Sequence, residues 1–358
     1  MEAFHHEAPA TRTVFGAGSI VHLAREIERL GARRALVLST PGQAAAAHDV
    51  ADRLGPRAAG VFARAAMHVP IETVRDARDA ARQAGADCAV AFGGGSTIGL
   101  GKAIALESSL PILAIPTTYA GSEMTAIYGI TDAGHKRTGR DERVRPRTVL
   151  YDPELTYALP TAVSVASALN AVAHAAEGLY AQDGHPMSAL MAQEGIRAIA
   201  GALPAIRLRG DDRAGRAGAL YGAWLCGAVL GGVGMALHHK LCHVLGGSFG
   251  LPHAEVHAVV LPHAVDYNAV AAPEAMQRIR TALDAPDGTG AGGALYDLAR
   301  DNGAPLSLQA LGLPAGALDR AADIVVAEPY WNPRPVGPAQ RQEVRDMLQR
   351  AFEGCRPG

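Results

Sequence analysis

The feature that most constrains the fold is a run of three glycines, Gly93–Gly95, directly after a short apolar segment. The segment Asp87–Phe92 is typical of a buried strand, and a helix is predicted to begin near Ser96. Glycine lets a backbone turn sharply and approach an anion, and the first N–H groups of a helix attract a phosphate. The spacing matches neither GxGxxG nor a P-loop. The run is therefore either a pyrophosphate site or a tight strand-to-helix turn without a ligand.

Short apolar segments alternate with helical patterns through the first half of the chain. The predicted strands are residues 34–39, 59–62, 87–92 and 113–115, and the predicted helices are residues 43–54 and 70–85. Strands that alternate with helices in this way form a parallel sheet covered on both faces. We therefore expect an α/β dinucleotide-binding domain over residues 1–157.

After Asp152-Pro153 the pattern changes to segments that are rich in alanine and leucine and have helical spacing. These segments are residues 161–181, 187–203, 214–246, 253–268, 273–283 and 292–302. The pair Pro160-Thr161 marks the expected boundary, so we expect an all-helical catalytic domain over residues 158–358. A cleft between two such domains is where a cofactor and a substrate usually meet.

Composition argues against several classes of protein. The 358 residues carry a net charge of −2 without long runs of one sign, which gives no electrostatic basis for binding nucleic acid or a membrane surface. The segment Gly218–Leu237 has no charge over 20 residues, but its six glycines favour a buried core helix over a membrane span. The four cysteines form no CxxC pair, which argues against a zinc ribbon. The first residues lack a signal-peptide pattern, so a cytoplasmic protein is expected.

The loop after the strand that ends at Ile115 is rich in hydroxyl groups. Thr117, Thr118 and Ser122 could hydrogen-bond a phosphate or a ribose. The same residue types also make ordinary loops, so the loop alone leaves both interpretations open.

Histidines are concentrated in one part of the second half, with six of the fourteen between positions 238 and 263. A spacing of four residues puts His239 and His243 on one helix face, and likewise Asn170 and His174. His253 follows after a Gly-Gly turn and a proline. A single histidine is more often an ordinary core or surface residue. This set, however, can converge on one point, as metal and catalytic sites require.

Prolines stiffen a late segment that holds Tyr330, Trp331 and Arg334. Aromatic rings beside a guanidinium suit a pocket for a carboxylate, which arginine holds through two parallel hydrogen bonds. The alternative is a surface loop that packs a tryptophan.

Together and in this order, these features resemble the iron-containing alcohol dehydrogenase superfamily along essentially the whole chain. The resemblance begins near Val14-Phe-Gly16 and continues through Leu261-Pro-His263. Members of that superfamily have an N-terminal α/β domain with a GGGS turn and a PTT-type loop, followed by an all-α domain that carries metal ligands. The resemblance implies this fold, which dehydroquinate synthase shares.

The superfamily's metal ligands are an aspartate and a histidine four residues apart, followed by two histidines fourteen residues apart. The matching positions here are Asn170, His174, His239 and His253, so the acidic ligand has become an asparagine. Asparagine is a neutral and weaker ligand for a hard divalent cation. A metal, if present, would be held by these four residues, and we expect that activity does not need one tightly bound.

Two departures from the superfamily pattern point to one of its branches. Asn170 and Gly99 both stand where an acidic residue is usual, and the segments His238–Cys242 and Tyr330–Pro335 add to the pattern. The chain is thereby similar to the maleylacetate reductase branch. This similarity implies an NAD(P)H-dependent enzyme of aromatic-compound degradation. Its substrate would be a small dicarboxylate, maleylacetate, which it reduces to 3-oxoadipate. We expect the enzyme to be a homodimer.

Three alternatives stay open. The first is a metal-dependent alcohol dehydrogenase acting on a small alcohol or aldehyde. The second is a cyclase of the dehydroquinate synthase type, which would need more basic residues for a phosphorylated substrate. The third is a dinucleotide-binding sensor without catalysis, which the intact histidine set argues against.

The resemblance also implies the cofactor site. Members often end the first strand with an acidic residue that binds the ribose hydroxyls, where this chain has Thr40 after Ser39. Without a carboxylate there, a 2′-phosphate is not repelled, so NAD(H) is the first expectation and NADP(H) is acceptable. Lys136 matches a lysine near the nicotinamide. The predicted cofactor-binding residues are Ser39, Thr40, Gly93, Gly94, Gly95, Ser96, Thr97, Thr117, Thr118, Ser122 and Lys136.

Reduction of maleylacetate would place a hydride on the alkene carbon β to the ketone and negative charge on the ketone oxygen. That oxygen needs a hydrogen-bond donor or a cation, and the α-carbon then needs a proton. We expect a histidine site for the enolate, with His243 as the proton donor, and Lys240 or Arg334 for the carboxylates. The predicted catalytic residues are His174, His239, Lys240, His243, His253 and Arg334.

Overall fold

The computed structural model describes Phe4, residues 10–133 and residues 135–358, and of Lys136 the backbone only. The chain forms two compact units. The described residues 10–159 belong to the first unit, and Phe4 belongs with residues 160–358 to the second. Each unit has its own hydrophobic core. The expected fold class, an α/β dinucleotide-binding domain followed by an all-α domain, is confirmed.

The strands lie in the first unit. They are β1 (Arg12–Phe15), β2 (Ala35–Leu38), β3 (Ala58–Phe62), β4 (Cys88–Gly93), β5 (Ile112–Pro116), β6 (Ile127–Asp132), β7 (His135–Arg140) and β8 (Thr148–Tyr151). Within the described residues, one parallel sheet has the order β1-β8-β5-β4-β2-β3, and β6 pairs with β7 as an antiparallel hairpin. An all-parallel sheet requires cover on both faces, because its strands are apolar on both sides.

Helices α1 (Leu23–Arg29), α2 (Ala44–Leu54), α3 (Ile71–Gln83) and α4 (Gly95–Ser108) supply that cover. Successive side chains of a strand point to opposite faces. Val37 of β2 accordingly packs in the core that α1 and α2 complete, whereas Leu36 packs in the core that α3 and α4 complete. The predicted two-sided arrangement is therefore present.

The strand order reverses at β2, which has β3 on one side and β4 on the other. In open α/β sheets, ligands bind beyond the carboxyl ends of the strands at such a reversal. Here Ser39 and Thr40 follow β2, and the glycine run begins at the end of β4. The topology brings two of the predicted cofactor segments to the same edge of the sheet.

The second unit is helical. Its helices are α5 (Thr161–Gly178), α6 (Pro186–Leu208), α7 (Arg213–Gly232), α8 (Leu237–Phe249), α9 (His253–Asn268), α10 (Pro273–Ala282), α11 (Ala291–Asp301), α12 (Ala317–Ala327) and α13 (Arg341–Glu353). Glycines let α6 and α7 pack closely. A Cβ on Gly195 would lie 2.7 Å from Cys226 Sγ, and one on Gly222 would lie 2.6 Å from Ile199 Cγ1.

The prediction of a single helix over residues 214–246 is wrong. α7 ends at Gly232, α8 begins at Leu237, and the two helices are bent by 97°. Gly232 and Gly234 weaken the helix here, and Val233 between them is extended, with φ −137° and ψ 163°. No single helix of the described chain is long and apolar enough to cross a membrane, and α7 with α8 meets that criterion only as a bent pair, by length and composition.

Candidate active site

The glycine run has no room for side chains. A Cβ on Gly93, whose φ is 150°, would lie 2.6 Å from Thr97 Oγ1, and one on Gly94 would lie 2.9 Å from Thr118 Oγ1. α4 begins at Gly95, and no side chain within the described residues caps its start. The N–H of Thr97 donates to the carbonyl of Gly94 at 3.1 Å, which leaves the N–H groups of Gly95 and Ser96 at the helix start to bind an anion. This arrangement supports the pyrophosphate interpretation of the run.

The loop after β5 is tied to the glycine run. The N–H of Thr117 donates to the carbonyl of Gly93 at 3.1 Å. The side-chain amide of Gln43 donates to Thr117 Oγ1 at 3.0 Å. The segments that follow β2, β4 and β5 are thus joined directly by hydrogen bonds.

Lys102 of α4 fixes the far end of that loop. Its buried ammonium donates to the carbonyls of Ser122 at 2.7 Å and Ile127 at 2.8 Å, and to Thr125 Oγ1 at 2.8 Å. Burial lowers the pKa of Lys102 to about 7, although the charge of Glu123 opposes this. The sequence prediction did not include Lys102, and the signal for it was a lysine inside an otherwise apolar helix.

The remaining predicted cofactor residues lie on the same segments. The hydroxyl of buried Ser39 donates to the carbonyl of Thr40 at 3.2 Å. Ser96 is half-buried and Thr97 is buried in the first turn of α4. The side chain of Lys136 lies outside the described part of the chain, so its role stays a prediction.

In the second unit, three helices bring histidines together. His174 lies on α5, His239 on α8, and His253 and His257 on α9. Ring centroids are 5.2 Å apart for His174 and His239, 5.0 Å for His239 and His257, and 4.3 Å for His253 and His257. The structure therefore places three predicted residues around His257, which the prediction left out of the site.

Burial keeps these rings uncharged. The pKa values of His174, His239 and His257 lie well below the ordinary value because burial disfavours the imidazolium and neighbouring histidines repel another charge. Burial also lowers the pKa of His238 to about 4. At neutral pH each ring is therefore neutral and has one nitrogen with a lone pair.

A buried glutamate, Glu177, binds the histidine-bearing end of α8. Its Oε2 accepts from the N–H of Ala236 at 2.8 Å and lies 2.6 Å from Nδ1 of His239. Its Oε1 accepts from the N–H of His238 at 2.7 Å. Sequence reasoning missed this residue, although it lies three positions after His174 and therefore on the same face of α5.

The donors in the cluster suit a divalent cation. Asn170 Oδ1, His174 Nδ1 and His239 Nε2 are buried and have no hydrogen-bond partner among the described residues. Imidazole nitrogens and an amide oxygen are ordinary metal ligands. The predicted quartet that also includes His253 contains no carboxylate, and the carboxylate of Glu177 lies behind His239.

The histidines whose ligand atoms the structure brings closest are a different set from the predicted quartet. Ligand atoms of His238, His239 and His257 lie within 4.8 Å of one another, and only His239 belongs to the quartet. Both ring nitrogens of His257 are buried without a partner within the described residues. The ring of His239 lies near those of both His174 and His257, so the histidines form one continuous cluster.

The rim of the cluster is more exposed and more polar. His243, on the same face of α8 as His239, has its Nδ1 3.0 Å from the hydroxyl of Tyr330. The Lys240 ammonium lies 5.6 Å from the centroid of the Tyr330 ring. Two predicted catalytic residues, His243 and Lys240, thereby converge on Tyr330.

Arg334 is engaged elsewhere in the same unit. One terminal amino group donates to the carbonyl of Tyr267 at 3.1 Å, and the other donates to Glu343 at 2.8 Å. The guanidinium carbon also lies 4.2 Å from the centroid of the Tyr267 ring. A substrate carboxylate would have to displace Glu343 before Arg334 could hold it with both amino groups.

Comparison with protein families agrees with both units. Residues 10–153 match the family model described as iron-containing alcohol dehydrogenase. Residues 164–352 match the model described as the C-terminal domain of the Fe-containing alcohol dehydrogenase family.

Individual relatives are similar over the full length. The chain is 61% identical to a maleylacetate reductase from Burkholderia cepacia, with 100% of both chains covered. Among solved structures, a protein from Ralstonia eutropha assigned as an alcohol dehydrogenase has a TM-score of 0.98 at 63% identity, with 100% of both chains covered. The maleylacetate reductase of Agrobacterium tumefaciens has a TM-score of 0.95 at 54% identity, again with 100% of both chains covered.

Proposed function

The chain belongs to the iron-containing alcohol dehydrogenase family, and from this premise we propose that it reduces maleylacetate to 3-oxoadipate in the degradation of aromatic compounds. The observation that carries the proposal is the buried histidine cluster with His243 and Lys240 at its rim. The full-length similarity to enzymes named maleylacetate reductase supports it.

The hydride donor is a nicotinamide dinucleotide, with its pyrophosphate at the start of α4. We propose NADH as the preferred form and NADPH as an accepted one. Thr40, a neutral residue two positions after β2, supports the acceptance of NADPH, because a carboxylate at this position would repel a 2′-phosphate.

The reaction consumes one maleylacetate, one NADH and one proton. Hydride adds to the alkene carbon β to the ketone, and the π electrons move onto the ketone oxygen as an enolate. When the enolate collapses, the α-carbon takes a proton, and 3-oxoadipate and NAD⁺ leave. Catalysis therefore requires a hydrogen-bond donor at the ketone oxygen and a proton source that can reach the α-carbon.

His243 suits the role of proton donor. It is exposed at the rim of the cluster, and the hydroxyl of Tyr330 holds its Nδ1 at 3.0 Å. Burial and the charge of Glu177 raise the pKa of Tyr330, so its hydroxyl keeps its proton at neutral pH. We propose that this hydroxyl donates to Nδ1 of His243, which places the N–H of the ring on Nε2.

The carboxylates of the substrate need cations. We propose Lys240 as the principal one, because it lies between His239 and His243 in sequence and next to Tyr330 in space. Arg334 is the second candidate. Because it is paired with Glu343, we propose that its main role is to hold the segment that carries Tyr330 in place.

A divalent metal, when bound, would act as a Lewis acid toward the ketone oxygen, and Asn170, His174, His239 and His253 would hold it. We propose that turnover does not depend on a tightly bound metal, because these four ligands carry no negative charge.

The second candidate function is a metal-dependent dehydrogenase that acts on a small alcohol or aldehyde. It is favoured by the donor atoms on Asn170, His174 and His239, which have no hydrogen-bond partner among the described residues.

Product analysis after incubation with maleylacetate and NADH tests the function. Formation of 3-oxoadipate in amounts equal to the NADH consumed is the expected result, and turnover of aldehydes alone would transfer the assignment to the second candidate. Sedimentation of the same preparation tests the expected homodimer.

A further inference from the structure

We infer that Glu177 is a positioning residue that fixes His239 in the tautomer with its proton on Nδ1, so that Nε2 faces the site as a lone pair. The evidence is a single buried carboxylate that binds both the ring of His239 and the start of the helix that carries it. The consequence for catalysis rests on the proposed function, whereas the tautomer itself does not.

Glu177 first of all stabilises the start of α8. The first N–H groups of a helix have no intrahelical acceptor, and the chain preceding α8 offers no capping side chain among the described residues. Glu177 of α5 accepts from the N–H groups of Ala236 and His238 at 2.8 and 2.7 Å. A carboxylate is also favoured at the positive end of the helix dipole. Glu177 thus acts as the cap that the sequence around residue 236 lacks.

Glu177 also binds the ring of His239. Backbone N–H groups only donate, so Glu177 must accept through both oxygens. Its contact with His239 Nδ1, at 2.6 Å, is short, and charge-assisted hydrogen bonds to a carboxylate are the shorter ones in proteins. A neutral imidazole with its proton on Nδ1 has a lone pair on Nε2. That atom is buried and has no partner among the described residues.

This tautomer assigns different tasks to the two histidines on one face of α8. His239 cannot donate a hydrogen bond from Nε2 to an enolate oxygen, but it can accept one or hold a cation. On this face of α8 the donor is then His243, the proposed proton donor, whose ring centroid is 6.2 Å from that of His239. Glu177 therefore keeps His239 from acting as a second donor toward the developing enolate.

The opposite arrangement is chemically possible and provides the contrast for the test. Burial raises the pKa of Glu177, while the N–H groups of Ala236 and His238 lower it. If the carboxyl kept its proton and donated to Nδ1, the ring would carry its own proton on Nε2. His239 would then be a donor toward the site.

The test is the nitrogen spectrum of the full-length, chelator-treated protein with ¹⁵N-labelled histidine rings. The signals of His239 are assigned as those lost in His239→Asn. We expect a protonated Nδ1 and an unprotonated Nε2 in the parent. A protonated Nε2 in the parent would overturn the inference, and this result needs neither substrate nor a folded variant.

Glu177→Gln is the matched variant, because it keeps the size of the side chain and has one acceptor oxygen in place of two. The amide must direct its NH₂ either at a backbone N–H or at Nδ1. We expect the proton of His239 to move wholly or partly to Nε2 and kcat/KM for maleylacetate to fall roughly 10- to 100-fold. Glu26→Gln is the control, since Glu26 is also a buried carboxylate, paired with Arg12 in the other unit at 2.7 Å. It should leave the signals of His239 unchanged.

A double-mutant cycle separates positioning from a merely structural role. If Glu177 acts through His239, Glu177→Gln should cost no more than about twofold in kcat/KM when His239 is already asparagine. Additive losses, or an unchanged His239 signal in folded Glu177→Gln, would contradict the inference. If the proposed function is wrong but the inference is right, the parent protein will show the expected nitrogen spectrum of His239 and will not turn over maleylacetate.

Discussion

The hydroxyl of Tyr330 lies 3.0 Å from Nδ1 of His243, so a residue of the proline-rich C-terminal segment orients a histidine on α8. With the hydroxyl as the donor, as proposed above, Nε2 of His243 carries the N–H. The proline-rich segment, which its sequence suggested as a pocket for a carboxylate, then also takes part in the proposed proton transfer.

Substitution of His243 should therefore affect catalysis more than binding. We expect His243→Asn to lower kcat by roughly 100- to 10,000-fold, which is the usual contribution of a positioned proton donor. Tyr330→Phe removes only the orienting hydrogen bond and should cost about 1 kcal/mol, or about fivefold. Steady-state kinetics with saturating NADH measure both. Equal, small effects of the two substitutions would mean that another group donates the proton.

The glycine run should determine cofactor affinity. A Cβ at position 94 would lie 2.9 Å from Thr118 Oγ1, so Gly94→Val must displace the loop that follows β5. We expect the dissociation constant of NADH to rise at least about tenfold, or about 1.4 kcal/mol. Gly201→Ala is the matched control, because nothing lies within 4 Å of its Cβ position. Titration of NADH fluorescence measures both, and unchanged affinity in folded Gly94→Val would place the cofactor elsewhere.

Lys240 and Arg334 should differ in their contributions to substrate recognition. Lys240→Ala is expected to lower kcat/KM for maleylacetate by roughly 1.5–3 kcal/mol, the range for a hydrogen bond to a charged group. Arg334→Ala breaks a half-exposed ion pair with Glu343 and should change kcat/KM by less than about threefold. The comparison is made in parallel kinetic assays. A larger loss in Arg334→Ala would show that this guanidinium leaves Glu343 to hold the substrate.

Removal of metal should leave most of the activity. The reason is Asn170, which provides no negative charge at the position of the acidic ligand. Asn170→Asp restores that charge and should tighten divalent-metal binding at least about tenfold, or about 1.4 kcal/mol. Elemental analysis before and after chelation, with activity measured on the same samples, tests both expectations. A stoichiometric metal whose removal from the parent abolishes turnover would contradict the account.

The sequence was sufficient for the parts of the fold that depend on local pattern. Buried parallel strands such as β4 are continuous apolar runs, and the glycines after β4 mark its end unambiguously. β8, by contrast, is only four residues long in a stretch rich in arginine, and such short runs give no clear periodicity. The break at Val233 was missed because glycine and alanine are compatible with a helix until the surrounding structure bends it.

The sequence predicted those residues of the site that lie at helical spacing from one another or match the family's pattern. His174, His239 and His253 could be found from their spacing and from the resemblance to a family. Glu177 could not, because its role depends on the bend that brings the N–H of Ala236 to it. The partner of Arg334 was hidden for a similar reason, since Glu343 lies on α13, a helix that sequence patterns did not predict.

The most direct test of the account is the ratio of kcat/KM for maleylacetate to that for a panel of small aldehydes, measured by NADH oxidation with the chelated enzyme. A site built to bind carboxylates strongly rejects substrates that lack them, because its polar groups are then left unpaired. We predict a ratio of at least about a thousandfold in favour of maleylacetate, or about 4 kcal/mol in the transition state. A ratio near one, or activity with aldehydes that appears only when a divalent metal is added, would contradict the assignment.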